Sequence, residues 1–228
     1  MKYTYLLVNF FTIIIPFIFS FHPKLNFYKT WRAFFPAVLL TALFFLLWDN
    51  YFTSLGVWGF NQQYVTGLFI GHLPVEELLF FFCIPYACVF TFHCLNLWLN
   101  KAEPRFERIL TLAFIGSFLF LAIFNYHRVY TFFAFLCPAM LLSLAKYILK
   151  VQWLYRFYLI YAILLFPFLI VNGILTGTGL EKPVVWYNEA EMLGIRILTI
   201  PTEDVFYGMA MVLMNLLIYK ALLKKQLH

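Results

Sequence analysis

The chain has 228 residues, 64% of them hydrophobic and 11% charged, with 16 basic against 10 acidic side chains and a formal net charge of +6. So little charge excludes a soluble globular domain and points to a polytopic membrane protein. Its four cysteines form no C-x-x-C, and no G-x-G-x-x-G, P-loop or H-E-x-x-H occurs, so no metal cage, redox pair or nucleotide site is signalled and nothing marks a nucleic-acid partner.

Seven apolar stretches follow one another along the chain, near 3–21, 32–52, 76–98, 108–125, 130–149, 155–174 and 201–222. Each is long enough to cross a hydrocarbon core of roughly 30 Å at ~1.5 Å per residue. The first could pass for a signal peptide but has no small-x-small cleavage site, and it is kept as a helix. The second ends in Trp48-Asp49-Asn50. A long loop, 53–75, leads into Pro74-Val75-Glu76-Glu77 and a run of phenylalanines that includes Phe80 and Phe81. His93, deep in this third stretch, reads as structural. The fourth has no ionisable residue between Ile109 and Phe124, and "NYHRVY" (Asn125 to Tyr130) separates it from the fifth. Asn172 lies near the end of the sixth. The loop 175–200 carries a "GTGLEK" turn and Trp186; Trp58 sits in the earlier loop, and both tryptophans read as interfacial anchors. The seventh opens on Pro201, Glu203, Asp204 and Tyr207.

Charge orients the spans. With the N-terminus and the loops 53–75, 126–129 and 175–200 on one side, that side holds Lys2, Arg128, Lys182 and Arg196; the other twelve basic residues face the opposite side. The positive-inside rule then places the N-terminus outside and the C-terminus in the cytoplasm of a multi-pass cell-membrane protein. All acids except Glu103 and Glu107 fall on the outer side, and four of them begin apolar helices.

The chain also matches itself. At an offset of 127, Tyr3-Thr4 meets Tyr130-Thr131, Gly67 meets Gly194, and Pro74, Glu76, Glu77 and Phe80 meet Pro201, Glu203, Asp204 and Tyr207. The second helices align at 124, with Trp31-Arg32 opposite Tyr155-Arg156 and Trp48 opposite Asn172. The expected architecture is all-α: two parallel three-helix repeats, 1–103 and 128–228, joined by a linker helix in 104–127 that restores orientation, with the site at the interface of the halves.

Paired acids at a helix start have two readings. One is capping, since carboxylates interact favourably with the helix dipole and proline suits the first turn. The other is acid–base chemistry: adjacent carboxylates in a poorly hydrated site cannot both ionise cheaply, which leaves a proton donor beside a base. Successive helix positions differ by about 100°, so one acid of each pair should face a cavity and the other a neighbouring helix. Glu76, Glu77, Glu203 and Asp204 are the candidate catalytic residues. Asp49, Asn50, Asn172, Phe80, Phe81 and Tyr207 are the candidates for substrate contact, the rings being suited to a carbocation.

"WDN" (48–50), "PVEELLFFF" (74–82), "PTEDVFYG" (201–208) and the duplicated layout resemble the membrane-integral lycopene β-cyclases, which occur as two three-helix subunits or as a fused chain. The resemblance covers nearly the whole chain. It implies cyclisation of lycopene through γ-carotene to β-carotene, an isomerisation with no obligatory cofactor, among membrane lipid and with room for other carotenoid enzymes as partners. This sequence departs from the motif at Asp204, and has Asn172 near where the first half has Asp49, so the halves need not be equivalent. A small sugar transporter with the same helix plan is the alternative, disfavoured by mid-helix Phe, Leu and Ile. A retinal photoreceptor is disfavoured by Lys220, which lies at the end of the last span.

Overall fold

The computed structural model describes residues 2–97, 99 and 104–226. Lys101 and Glu103, counted above on the cytoplasmic side, and the repeat end set at residue 103 lie outside the described residues. Among the described residues, seven helices carry the fold: α1 (Thr4–Phe19), α2 (Trp31–Ser54), α3 (Val75–Asn96), α4 (Pro104–Phe124), α5 (Val129–Ser143, running on through a π-turn to Ile148), α6 (Leu154–Leu175) and α7 (Thr202–Gln226). Each lies within a few residues of an expected span. Six of them are long and apolar enough to cross a membrane, whereas α1 has only 16 residues. Exposed Leu, Ile and Phe side chains, such as Leu39, Leu43, Leu47, Ile123 and Phe166, cover the outside of this helical membrane bundle, as lipid contact requires when backbone groups are satisfied inside each helix.

Packing follows the duplication. α1 packs on α3 and α5 on α7, while each half's second helix reaches across to the third helix of the other half, α2 on α7 and α6 on α3. α4 packs along α5 and keeps most of its surface exposed. The main core is aromatic, with Phe27, Phe34, Phe92, Phe135 and Phe157 fully buried.

Short strands, absent from the expected all-α layout, decorate one end. A hairpin of β2 (Phe69–Ile70) and β3 (Leu73–Pro74) leads into α3, and one of β5 (Arg196–Ile197) and β6 (Ile200–Pro201) leads into α7. They match residue for residue at the 127 offset: Phe69 faces Pro74 as Arg196 faces Pro201. Val75 N–H donates to Leu68 O as Thr202 N–H donates to Ile195 O. Gly67 and Gly194 both take a positive φ, 91° and 74°, which a side chain would resist. β1 (Trp58–Phe60) and β4 (Val185–Tyr187), also 127 apart, pair with each other antiparallel, Gly59 opposite Trp186. A strand pairing with its own repeat equivalent is what a twofold relation between the halves produces. Gly59 lies under the Trp186 ring: a Cβ there would sit 2.4 Å from Trp186 Cζ2.

Candidate active site

The hairpins and the β1–β4 ribbon bring together the starts of α1, α3, α5 and α7 and the ends of α2 and α6. Between α1, α3, α6 and α7 lies a cavity of about 840 Å³. Its walls are apolar, and its polar groups gather where the helices begin.

Pro74 ends β3 in an extended conformation and stands just before α3 rather than inside its first turn. The helix then places Glu76 and Glu77 on different faces. Glu76 Oε1 accepts from Thr66 N–H at 2.6 Å, and Asn9 Nδ2 donates to Glu76 O at 2.7 Å. Glu203 repeats the arrangement, its Oε1 accepting from Leu193 N–H at 2.6 Å and Thr131 Oγ1 at 2.7 Å. Residues 66 and 193 are again 127 apart. These buried carboxylates tie each long loop to the start of the helix that follows it, and neither lines the cavity.

Glu77 and Asp204 do line it. Tyr5 Oη donates to Glu77 Oε2 at 2.5 Å. The Asp49 carboxyl lies beside that of Glu77 and lines the same cavity, and Tyr207 Oη donates to Asp49 Oδ1 at 3.2 Å. Two carboxyl groups side by side in an apolar cavity cannot both ionise cheaply, which favours one proton held by the pair. Asp204 is held differently. Tyr130 Oη donates to its Oδ1, while Asn172 Nδ2 and Tyr187 Oη donate to Oδ2 at 2.7 and 2.9 Å. Burial pushes the Tyr187 hydroxyl well above the usual phenol range, and the Asp204 carboxylate adds to this, so Tyr187 remains a donor. One half therefore presents two neighbouring carboxyl groups and the other a carboxylate with three donors.

Of the other expected contact residues, Asp49, Asn172, Phe80 and Tyr207 line the cavity. Asn50 does not: its Oδ1 accepts from His72 N–H at 2.9 Å and anchors the β2–β3 hairpin. Phe81 does not either. It is turned toward α2, stacked on Phe45 at 6.2 Å, with 1% of its surface exposed. We expect Phe81→Ala to cost about 3 kcal/mol of stability through the space it empties, read as a lower Tm in detergent.

Tyr5, Tyr130, Tyr187 and Trp58 complete the site, and the sequence marks none of them as a site residue. The Tyr3-Thr4 match to Tyr130-Thr131 points to the right turn of helix but the wrong tyrosine. Tyr3 is 57% exposed, and Tyr5, one position beyond Thr4, makes the bond to the acid that Tyr130 makes in the second half. Trp58 is not an interfacial anchor: it is 4% exposed, packed edge-on against Tyr130 at 5.1 Å. Trp186, 43% exposed, does face outward. His93 is structural, its Nε2 bonded to Leu25 O at 2.8 Å.

The chain matches the family model described as Lycopene cyclase in two segments, residues 2–95 and 127–222, and the stretch between them contains α4. No curated protein and no solved structure matches the chain.

Proposed function

The chain belongs to the lycopene cyclase family, an enzyme family of carotenoid cyclisation, and we propose that it is a lycopene β-cyclase that closes the linear ends of lycopene through γ-carotene to β-carotene by acid–base isomerisation. The observation that carries this is the pairing of two unlike carboxyl centres, Asp49–Glu77 and Asp204, at the head of one apolar cavity.

The chemistry needs a proton delivered and a proton removed. The Asp49–Glu77 pair gives its shared proton to the terminal double bond of the polyene, leaving a tertiary cation. The neighbouring double bond attacks it, forming the ring bond and moving the positive charge to a ring carbon. Loss of the adjacent proton to Asp204 then creates the ring double bond. One proton enters and one leaves, so no electron carrier is consumed. Phe80, Tyr207 and Trp58 offer ring faces to the cation, worth about 2 kcal/mol each where water is excluded. Tyr5, Tyr130, Asn172 and Tyr187 fix the carboxyl groups against the substrate, and Glu76 and Glu203 hold the loops that lead into α3 and α7.

In this reading the two three-helix repeats, 1–103 and 128–228, lie parallel in the cell membrane with 104–127 as linker. The N-terminus and the carboxyl end of the cavity face outward and the C-terminus faces the cytoplasm. Substrate arrives from the lipid phase, and no cofactor is required.

Expression in a lycopene-accumulating bacterium should convert the pigment to γ- and β-carotene, as read by chromatography. Unchanged lycopene with the protein present in the membrane would overturn the assignment. Tyr187→Phe removes one of three donors to Asp204, about 1 kcal/mol, so a several-fold slower conversion is expected in the same assay.

A further inference from the structure

The duplicated chain supplies two carboxyl centres but does not build two equal grooves. The cavity lies between α1 and α6, and a twofold relation would generate a second one between α5 and α2. That space is filled. Trp48 stacks on Phe45 at 5.6 Å with 12° between planes, Phe45 stacks on Phe81, and Phe133 of α5 meets Trp48 edge-on at 6.0 Å. The repeat shows which residues make the difference. Trp48 corresponds to Asn172 at the 124 offset, and Phe81 to Gly208 at the 127 offset. Where the first half has two large aromatic side chains, the second has a small amide and no side chain at all. Both Asn172 and Gly208 line the open groove. A Cβ added at Gly208 would come within 3.2 Å of Tyr161 Oη, so a larger residue would take up groove space.

The groove has one head and one way in. Its lining runs along α1 from Thr4 to Pro16 and along α6 from Tyr161 to Leu175, about 18–21 Å at ~1.5 Å per residue. Both carboxyl centres sit at the head. Leu7, Phe11 and Ile15 of α1 and Ile170 of α6 line the groove and are also mostly exposed on the bundle surface. The groove therefore opens sideways between α1 and α6, where lipid would be. A conjugated polyene is too stiff to fold back on itself, so one end at the head leaves the other pointing down the groove or out into lipid.

We infer that the two unequal halves make a single active groove, and that each binding event closes one ring. The monocyclic carotenoid leaves through the α1–α6 opening and re-enters by its other end before a second ring forms. This rests on the cyclase reading above and deepens it.

The test uses the purified full chain in liposomes with isotopically labelled lycopene, with and without a tenfold excess of unlabelled γ-carotene. Release between rings predicts that, of the label that has been cyclised, the share reaching the bicyclic product falls about tenfold as the unlabelled excess competes by mass action, with labelled γ-carotene accumulating instead and unlabelled bicyclic product appearing. An unchanged share, or unlabelled γ-carotene left unconsumed while labelled bicyclic product forms, would overturn the inference and leave the cyclase assignment standing. Absence of any ring would instead overturn the assignment itself. Gly208→Phe, which places the first half's residue in the groove, should lower both ring-forming steps together. Loss of only one step would mean a second groove and would also overturn the inference.

Discussion

Replacing Glu77 by Gln is expected to lower ring formation by about 10²–10⁴-fold, the usual contribution of a positioned general acid. Pigment per unit of membrane protein, in cells that supply lycopene, is the measurement. The substitution keeps shape and hydrogen bonding: the amide oxygen still accepts from Tyr5, and the amide nitrogen can donate to Asp49. What disappears is the carboxyl group that, in the proposed reaction, supplies the proton beside Asp49. A folding defect would lower the amount of protein, whereas loss of the acid lowers product from protein present at normal amounts. Glu189→Gln is the control. Glu189 lies in the loop before α7 but is largely exposed and paired with Arg196 at 2.5 Å, and an exposed pair contributes little. Equal effects at Glu77 and Glu189 would remove the carboxyl pair from the mechanism.

The roles within each acid pair follow from rotation around a helix, and sequence alone carries only part of that information. Two adjacent acids about 100° apart must face different neighbours. Which of them faces the cavity depends on how α3 and α7 are turned, and that is set by the hairpins before them. The hairpins themselves are hard to read because each strand is only two residues long and the second of each pair ends on proline. Their glycines at 67 and 194 were visible as a repeat, but their positive φ was not. The helices were legible to within a few residues at each end, since length and apolarity decide them in a bilayer. Asp49 and Asn172 were legible as polar groups near helix ends in an apolar chain.

Tyr187 and Trp58 were not legible, for a related reason. They lie in loops that look like outer connections, yet β1 and β4 pair and carry them inward over the cavity. A long-range strand pair of three residues leaves almost no periodic trace. The inequality of the halves was half legible. The Trp48–Asn172 mismatch is visible in the alignment, but its meaning needs Phe45, Phe81 and Phe133 in place around Trp48. Duplication thus supplied the scaffold, and substitution at a few positions made the halves unlike: one half has two neighbouring carboxyl groups, the other a single carboxylate among donors.

Asp204→Asn is the second change expected to be severe, again about 10²–10⁴-fold in ring formation. Asn has one acceptor oxygen and a nitrogen that only donates. Tyr130, Asn172 and Tyr187 all direct donors at the present carboxylate, so the change removes the base and leaves at least one buried donor facing another, about 2 kcal/mol of lost stability. Glu203, one residue earlier, should behave in the opposite way. In Glu203→Gln the amide oxygen can still accept from Leu193 N–H and Thr131 Oγ1, so activity should fall less than tenfold, within the range of one hydrogen bond. Glu203→Ala strands both donors and should lower Tm and the amount of protein in the membrane, while the protein that remains still cyclises. Measuring all three variants for protein amount and for product per protein separates a base from a brace. If Glu203→Gln proved as inactive as Asp204→Asn at normal protein levels, proton removal would belong to both acids of the second motif, and the division between a cavity-facing catalyst and a loop-holding partner would fall.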